Sequence, residues 1–230
     1  ATPEARIAAT SRMLLEGMPP VFVATMPVFA AGFLCLQVAR RLLRGLATAA
    51  EIEATLRALP FNPTTEMDLE LWAGSQRIAA DAESRAALLD AAGAALARDY
   101  RAGTLPPVLQ AVLDGFLRRF GARGVAEIDI GVARWGEDPA HVLGALANYL
   151  RQDRAELAPD LQFERARASA EQAISTLVAR ARERSRLRGA LVRFALTRVR
   201  ALAGMREAPK FFIVRLLDRG RALLQGVGAA

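Results

Sequence analysis

From Pro19 to Ala39 the chain runs 21 residues without a charged side chain and then meets Arg40, Arg41 and Arg44. A stretch this long and apolar has to be hidden from water, either across a bilayer, which takes a helix of about 20 residues, or inside a protein core. The basic flank suits the first arrangement. Pro27 interrupts the run, however, and Thr25, Gly32 and Gln37 dilute it. We therefore read it as a buried core helix, separated by Met18-Pro19-Pro20 from a short helix over residues 3–17 that ends at Gly17.

The rest of the chain reads as soluble and helical. Alanine, leucine and arginine dominate, aromatics make up only 6%, and β-branched residues are thin outside a few short stretches, a balance that favours helix over sheet. Residues 48–59 form an amphipathic helix with Ile52, Leu56 and Leu59 on one face, stopped by Pro60. Thr65 followed by Asp68 makes a capping-box-like start for a helix carrying Met67, Leu69, Leu71 and Trp72. Further helices are expected over 80–101, from Pro107 to Phe120, from Pro139 to about Arg154, from about Asp160 to Ala203, and from Pro209, a residue tolerated in a first turn, to about Gln225. Gly226 to Ala230 form a short low-complexity tail. The fold class is all-α, a large multi-helix domain. Its exception is GARGVAEIDIGVARWGEDP, residues 121–139, which has four glycines, no helical period and an alternation around Ile128 and Ile130 with room for a two-stranded ribbon at most. Long ordered loops between helices are uncommon and often functional.

Charge is unevenly placed. Residues 180–230 hold 13 basic and 3 acidic residues, a net of +10, within a chain whose total is +7. Such a stripe suits nucleic acid, anionic lipid, an acidic protein face or phosphate groups, and charge alone does not choose among them. Of 31 cations, 30 are arginine, and Lys210 is the one lysine. A compact ammonium and a planar guanidinium do different work, so a lone lysine among arginines invites a chemical explanation. It stands in Arg206-Glu207-Ala208-Pro209-Lys210. A spacing of four puts Arg206 and Lys210 on one helix face. If Pro209 instead opens the last helix, Lys210 lies in a first turn that attracts anions. A solvated basic turn, or an ion pair to Glu207, is the plainer alternative.

A second constellation, Arg123, Glu127, Asp129 and Arg134 beside Trp135, lies in the irregular segment. These residues either pin the loop by ion pairs or present carboxylates to a substrate hydroxyl or a metal. Met18, Phe22, Met26, Phe29 and Phe33 would serve as core or as the apolar wall of a pocket. The single cysteine, Cys35, allows no disulfide framework and no cysteine-rich metal site, and points to a reducing, cytoplasmic setting. His141, the only histidine, stands at a helix start and reads as a surface or capping residue.

Three stretches carry a resemblance: LPFNPTTEMDLELW from Leu59 to Trp72, FGARGVAEIDIGVARWGEDP from Phe120 to Pro139, and REAPKFFIVRLL from Arg206 to Leu217. In order and spacing they resemble the helical domain of rifampicin phosphotransferases and related phosphoenolpyruvate-synthase-like, PEP-utilising proteins. The resemblance implies that residues 1–230 are a single helical acceptor-binding domain, a fragment of a multidomain, ATP-dependent phosphotransferase of dikinase type. An ATP-grasp domain would phosphorylate a histidine on a swivelling domain, which carries the phosphoryl group to a hydroxyl of a small-molecule acceptor. It implies catalytic roles for Arg206 and Lys210, with Arg123, Glu127, Asp129 and Arg134 as substrate-binding candidates. No metal and no cofactor is expected in this chain; ATP and Mg would belong to the other domains. The expected partners are the acceptor and the ATP-grasp and phosphohistidine domains, with no nucleic acid and no membrane, and the chain alone is expected to be inactive. A phosphocarrier role for His141 is disfavoured by its setting. Pyruvate is disfavoured as acceptor because strands and helices do not alternate. The alternative from the residues alone is a basic helical module that binds nucleic acid through 180–221 or a membrane through 19–44.

Overall fold

Helices begin where a side chain or a proline deals with the first unpaired amides. Thr48 and Glu51 exchange hydrogen bonds in a capping box that opens α2, Ala49–Ala54. The Asn62 side chain accepts from the amides of Thr64 and Thr65 at 3.0 and 3.3 Å at the head of α3, Pro63–Ala79. The Thr65–Asp68 capping box is therefore not formed, because Asn62 and Pro63 start the helix earlier; Asp68 instead accepts from the Tyr149 hydroxyl. Asp81 caps α4, Ala82–Asp90, through the amide of Ser84. Pro107 and Pro159 sit in first turns of their helices.

The computed structural model describes residues 2–152, 155–225 and 227. Among them the regular elements are all helical, in agreement with the all-α reading: α1 Pro3–Leu42, α2 to α4 as above, α5 Gly93–Ala102, α6 Pro107–Phe120, α7 Ala140–Leu150, α8 Pro159–Arg184, α9 Arg186–Gly204 and α10 Ala208–Leu224, with 3-10 turns at Ala155–Leu157 and Met205–Glu207. Residues 121–139 form a chain of turns without a strand. The expected helix over 80–101 is two helices, and the one over 160–203 is broken at Ser185, whose extended backbone ends α8 and whose hydroxyl caps α9. α7, expected to run to about Arg154, ends at Leu150 with Arg151 as its cap, and most of the Gly226–Ala230 tail lies outside the described residues.

The first helix departs most from expectation. α1 runs unbroken through Pro19, Pro20 and Pro27. All three prolines lie on its exposed side, where carbonyls left without an amide partner can meet water, so the helix bends its rules at the cheapest place. The run is also not buried: Phe22, Val23, Met26, Phe33 and Leu34 are 51–72% exposed. Among the described residues α1 is the one helix long and apolar enough to cross a membrane, and none of its most apolar window is buried. The buried-core reading of this stretch is thus overturned, since no other described segment covers that face.

Close contacts gather into two compact units. One comprises the described residues of Ala1–Val21, Met67–Ala155 and Lys210–Ala230, the other Phe22–Glu66 and Glu156–Pro209. In the first, Leu71 and Ile78 of α3, Leu109, Leu113, Phe116 and Phe120 of α6, and Leu143 and Leu146 of α7 form the core, closed by Trp135 from the irregular loop. In the second, Ile174, Leu177 and Val178 of α8 meet Val192, Ala195 and Leu196 of α9, with Ala39, Leu43 and Ile52.

Candidate functional site

The 121–139 loop is irregular but firmly tied. The amides of Trp135 and Gly136 donate to the carbonyls of Arg123 and Gly121, each at 2.8 Å, drawing its two ends together. Gly121 permits this approach: a Cβ there would stand 3.4 Å from the Gly136 Cα, and would also meet the Leu117 carbonyl oxygen of α6. From α10, Arg221 donates to the carbonyls of Ile130 and Gly131 at 2.9 and 2.8 Å and grips the Glu137 carboxylate at 2.7 Å. Arg134 is 1% exposed and donates from Nη1 to the Glu127 carbonyl at 2.9 Å. These cations hold backbone oxygens, which accounts for a loop with little regular pairing of its own.

So held, the loop presents a cleft of about 800 Å³, lined by residues 123–129 with Trp135, His141 and Lys210. One of its lining residues is Glu127, whose carboxylate gathers two cations. Arg123 donates to it through Nε and Nη2 at 2.9 and 3.2 Å, a two-point fork, and Lys210 Nζ lies 2.7 Å from Oε1. Burial works to raise the Glu127 carboxyl, but the hydrogen bonds and charges of Arg123 and Lys210 outweigh it and hold the group below the ordinary carboxylate range. It is thus an anion at neutral pH and a poor proton acceptor; its chemical use is to hold two cations in place. Lys210 is half exposed, so its ammonium is positioned by Glu127 while still facing the cleft. Trp135 and His141 stack at 5.8 Å with an interplanar angle of 13° and form an aromatic wall.

Four of the six residues singled out from the sequence, Arg123, Glu127, Asp129 and Lys210, therefore line one cleft. Asp129 is spent structurally: its carboxylate accepts from the Gly131 amide at 2.7 Å in a tight turn. Arg134 is buried and acts on the Glu127 backbone. Arg206 belongs to the second unit, on the Met205–Glu207 turn, 71% exposed and paired with Glu207 at 3.3 Å. His141 lines the cleft as an exposed residue and does not cap α7, where the Asp138 carboxylate takes the Ala140 amide instead. Sequence reading missed the joining of Lys210 to Glu127, 83 positions away, and the clasp by Arg221. Nothing local marks either pairing, because each exists only once α10 is folded against the loop.

The pairing is testable through pH. Since the folded Glu127 carboxyl titrates below its unfolded value, its stabilisation is complete above the ordinary carboxylate range and is lost as pH falls through the folded value. Glu127→Gln is expected to be about 2 kcal/mol less stable near neutral pH. In unfolding measurements across pH, that gap should close below about pH 4. A gap that does not change with pH would show that the carboxylate charge is not what holds the two cations.

The family model of the rifampicin phosphotransferase fourth domain matches residues 24–207, a span that includes the whole irregular loop and Arg206 and ends just before Lys210. No curated protein matches the chain closely enough to be set beside that family. Matched over most of its length, with the cleft-building loop inside the match, the chain belongs to the rifampicin phosphotransferase fourth-domain family.

Proposed function

We propose that this chain is the acceptor-holding part of a phosphotransferase that moves a phosphoryl group from a phosphohistidine on a swivelling domain to a hydroxyl of a small molecule, a rifamycin-like alcohol among the candidates. The observation that supports it most is the lone lysine, fixed by a buried carboxylate at the mouth of a cleft with an aromatic wall. In the transfer, the P–N bond of the phosphohistidine breaks and its electron pair returns to the imidazole. A P–O bond forms to the acceptor oxygen, and the hydroxyl proton ends on the departing imidazole. Little covalent chemistry is left for this chain, which contributes position and positive potential. Lys210 supplies a point charge to the oxygens of the moving group; a role for Arg206, which belongs to the second unit, rests on the resemblance of its motif alone. Arg123 and Glu127 hold the ammonium in register, Arg134 holds the Glu127 backbone, Asp129 shapes the rim, and the Trp135–His141 wall packs against an apolar acceptor.

ATP and Mg are assigned to the ATP-grasp domain of the intact enzyme. Among the described residues no three His, Cys, Asp or Glu side chains gather to hold a metal. Incubated with labelled ATP, the purified chain is expected to gain no acid-labile, base-stable phosphate on His141. Rifampicin added to the same chain in a calorimetric cell should release saturable heat, reduced at least tenfold in affinity when Trp135 is replaced by alanine. Stoichiometric label on His141 would overturn the division of labour, and absence of binding heat with any rifamycin would remove that acceptor class.

The membrane-associated reading has one observation in its favour, the exposed apolar face of α1 ahead of Arg40 and Arg41. Flotation with anionic vesicles tests it: a chain that floats with lipid belongs to that second class, and one that stays in the dense fraction does not.

A further inference from the structure

The first unit holds another cleft, of about 390 Å³, lined by α6, the irregular loop and α10, and it shares no lining residue with the Lys210 cleft. Its side chains are unusually cationic for so small a space. Arg118, Arg119, Arg134, Arg215 and Arg219 line it against two carboxylates, Glu137 and Asp218, an excess of three positive charges. Part of this is settled internally: Arg119 pairs with Glu70 at 3.0 Å, and Glu137 is gripped by Arg221. Burial raises the Asp218 carboxyl, against the pull of Arg134, so the one acid left beside the arginines is a weakened counter-ion.

Arg134 gives the cleft its chemical direction. Its guanidinium is 1% exposed and spends Nη1 on the Glu127 carbonyl, while Nε and Nη2 have no acceptor among the described residues. A buried cation with two open donors carries a desolvation cost that only an acceptor removes. Nε and Nη2 lie on one edge of the guanidinium plane, the edge that takes two oxygens of one oxyanion. Arg215 and Arg219, a helical turn apart on α10, are exposed on flexible stems at the same cleft, where they can close over a ligand. A carboxylate brings one negative charge to an excess of three, whereas a phosphate group brings close to two and further acceptor oxygens.

We propose that this cleft is a second ligand site, separate from the Lys210 cleft, and that it takes a phosphate group, free or as a phosphomonoester, with Arg134 as the fork at its base and Arg215 and Arg219 as its outer clamps. The proposal stands on this cleft alone and survives failure of the phosphotransfer reading.

The test is calorimetric titration of the chain at fixed ionic strength with inorganic phosphate, with glycerol 1-phosphate and with acetate. Saturable binding at about 1 mM or tighter is expected for a phosphate-bearing probe. Binding of inorganic phosphate alone identifies the free ion as ligand, and binding of the ester identifies a phosphomonoester. The double variant Arg215→Gln/Arg219→Gln, changed at exposed positions, should fold normally and bind at least tenfold more weakly. Arg134→Lys, which keeps charge and loses the fork, should do the same; if it does not fold, the double variant decides. No saturable heat, equal affinity for acetate, or parental affinity in the double variant would overturn the site. So would binding that is lost in Lys210→Ala and kept in the double variant, since that would seat the ion in the other cleft.

Discussion

Lys210→Ala and Arg206→Ala are each expected to slow phosphoryl transfer by a factor of about 10² or more when the domain is joined to its phosphohistidine donor, with little change in acceptor affinity. The motive for Lys210 is its survival as the one lysine among 30 arginines and its place in the cleft, 2.7 Å from Glu127. The motive for Arg206 is its position four residues earlier in the motif that resembles the family's site. The structural cost should separate the two. Arg206 is exposed and pairs with its neighbour Glu207, so its loss should change stability by no more than about 0.5 kcal/mol. Lys210 helps to neutralise a largely buried carboxylate that Arg123 still holds, and its removal should cost about 1 kcal/mol. Lys210→Arg is the sharper control because it keeps the charge and changes its shape; stability should return and the rate should not. Single-turnover transfer from the phosphorylated histidine, read beside thermal unfolding, checks all three. Parental rates in both alanine variants would return the basic turn to plain solvated surface.

The parts of the fold that were legible in the sequence are those set by local chemistry. Pro107 and Pro209 in first turns and the glycine-bearing loop after Phe120 follow from backbone preferences that a single residue can state. Asn62 displaced the Thr65–Asp68 box because two capping signals stood three residues apart and the earlier one, reinforced by Pro63, won. The break at Ser185 was hidden for the opposite reason. A lone serine inside an arginine-rich helical pattern carries weak information, and the turn depends on Gly189, where a Cβ would lie 2.1 Å from the Arg182 side chain. α1 defeated the reading twice, through prolines tolerated on a solvent face and through apolar residues left uncovered. Hydropathy reports what a helix would prefer to touch, and nothing in one sequence reports whether a partner comes from the same segment of chain.

At the candidate site the same division holds. The residue types and the loop were visible, since opposite charges in an irregular segment announce themselves. Their roles were not, because they depend on what α10 brings. Glu127 looks like a candidate base until Arg123 and Lys210 are seen on it, and that Arg134 spends its Nη1 on the Glu127 backbone carbonyl shows only in the fold. Part of the positive excess of residues 180–230 likewise goes to separate tasks. Arg180 and Arg188 donate to the carbonyls of Leu46 and Leu42, and Arg221 to those of the loop. These three of the 13 cations of the stripe are used to hold backbone oxygens.

Arg200 shows how large that contribution is, and Arg200→Met is expected to lower the stability of the second unit by about 3 kcal/mol. The guanidinium is 7% exposed and donates to three carbonyls, of Thr55 and Arg57 from Nη1 at 2.6 and 2.7 Å and of Ala58 from Nη2 at 3.0 Å. Those oxygens end α2 and have no helix to pair with. The segment is also strained, with positive φ at Ala58 and Phe61, conformations that persist in non-glycine residues only where surrounding contacts impose them. Methionine fills much of the volume and supplies no donor, so one buried and two part-buried acceptors are left to a partial hydration. The same segment is pressed one turn further along α9, where a Cβ on Gly204 would stand 1.7 Å from the Pro60 carbonyl oxygen. Gly204→Ala must therefore push 55–61 away and should cost about as much by a steric route. Because both changes displace one segment, the double variant should lose clearly less than the sum of the two. Denaturant unfolding of the two singles and the double makes the measurement. Single losses below about 0.5 kcal/mol, or strict additivity, would mean that Arg200 and Gly204 do not act together on the turn between α2 and α3.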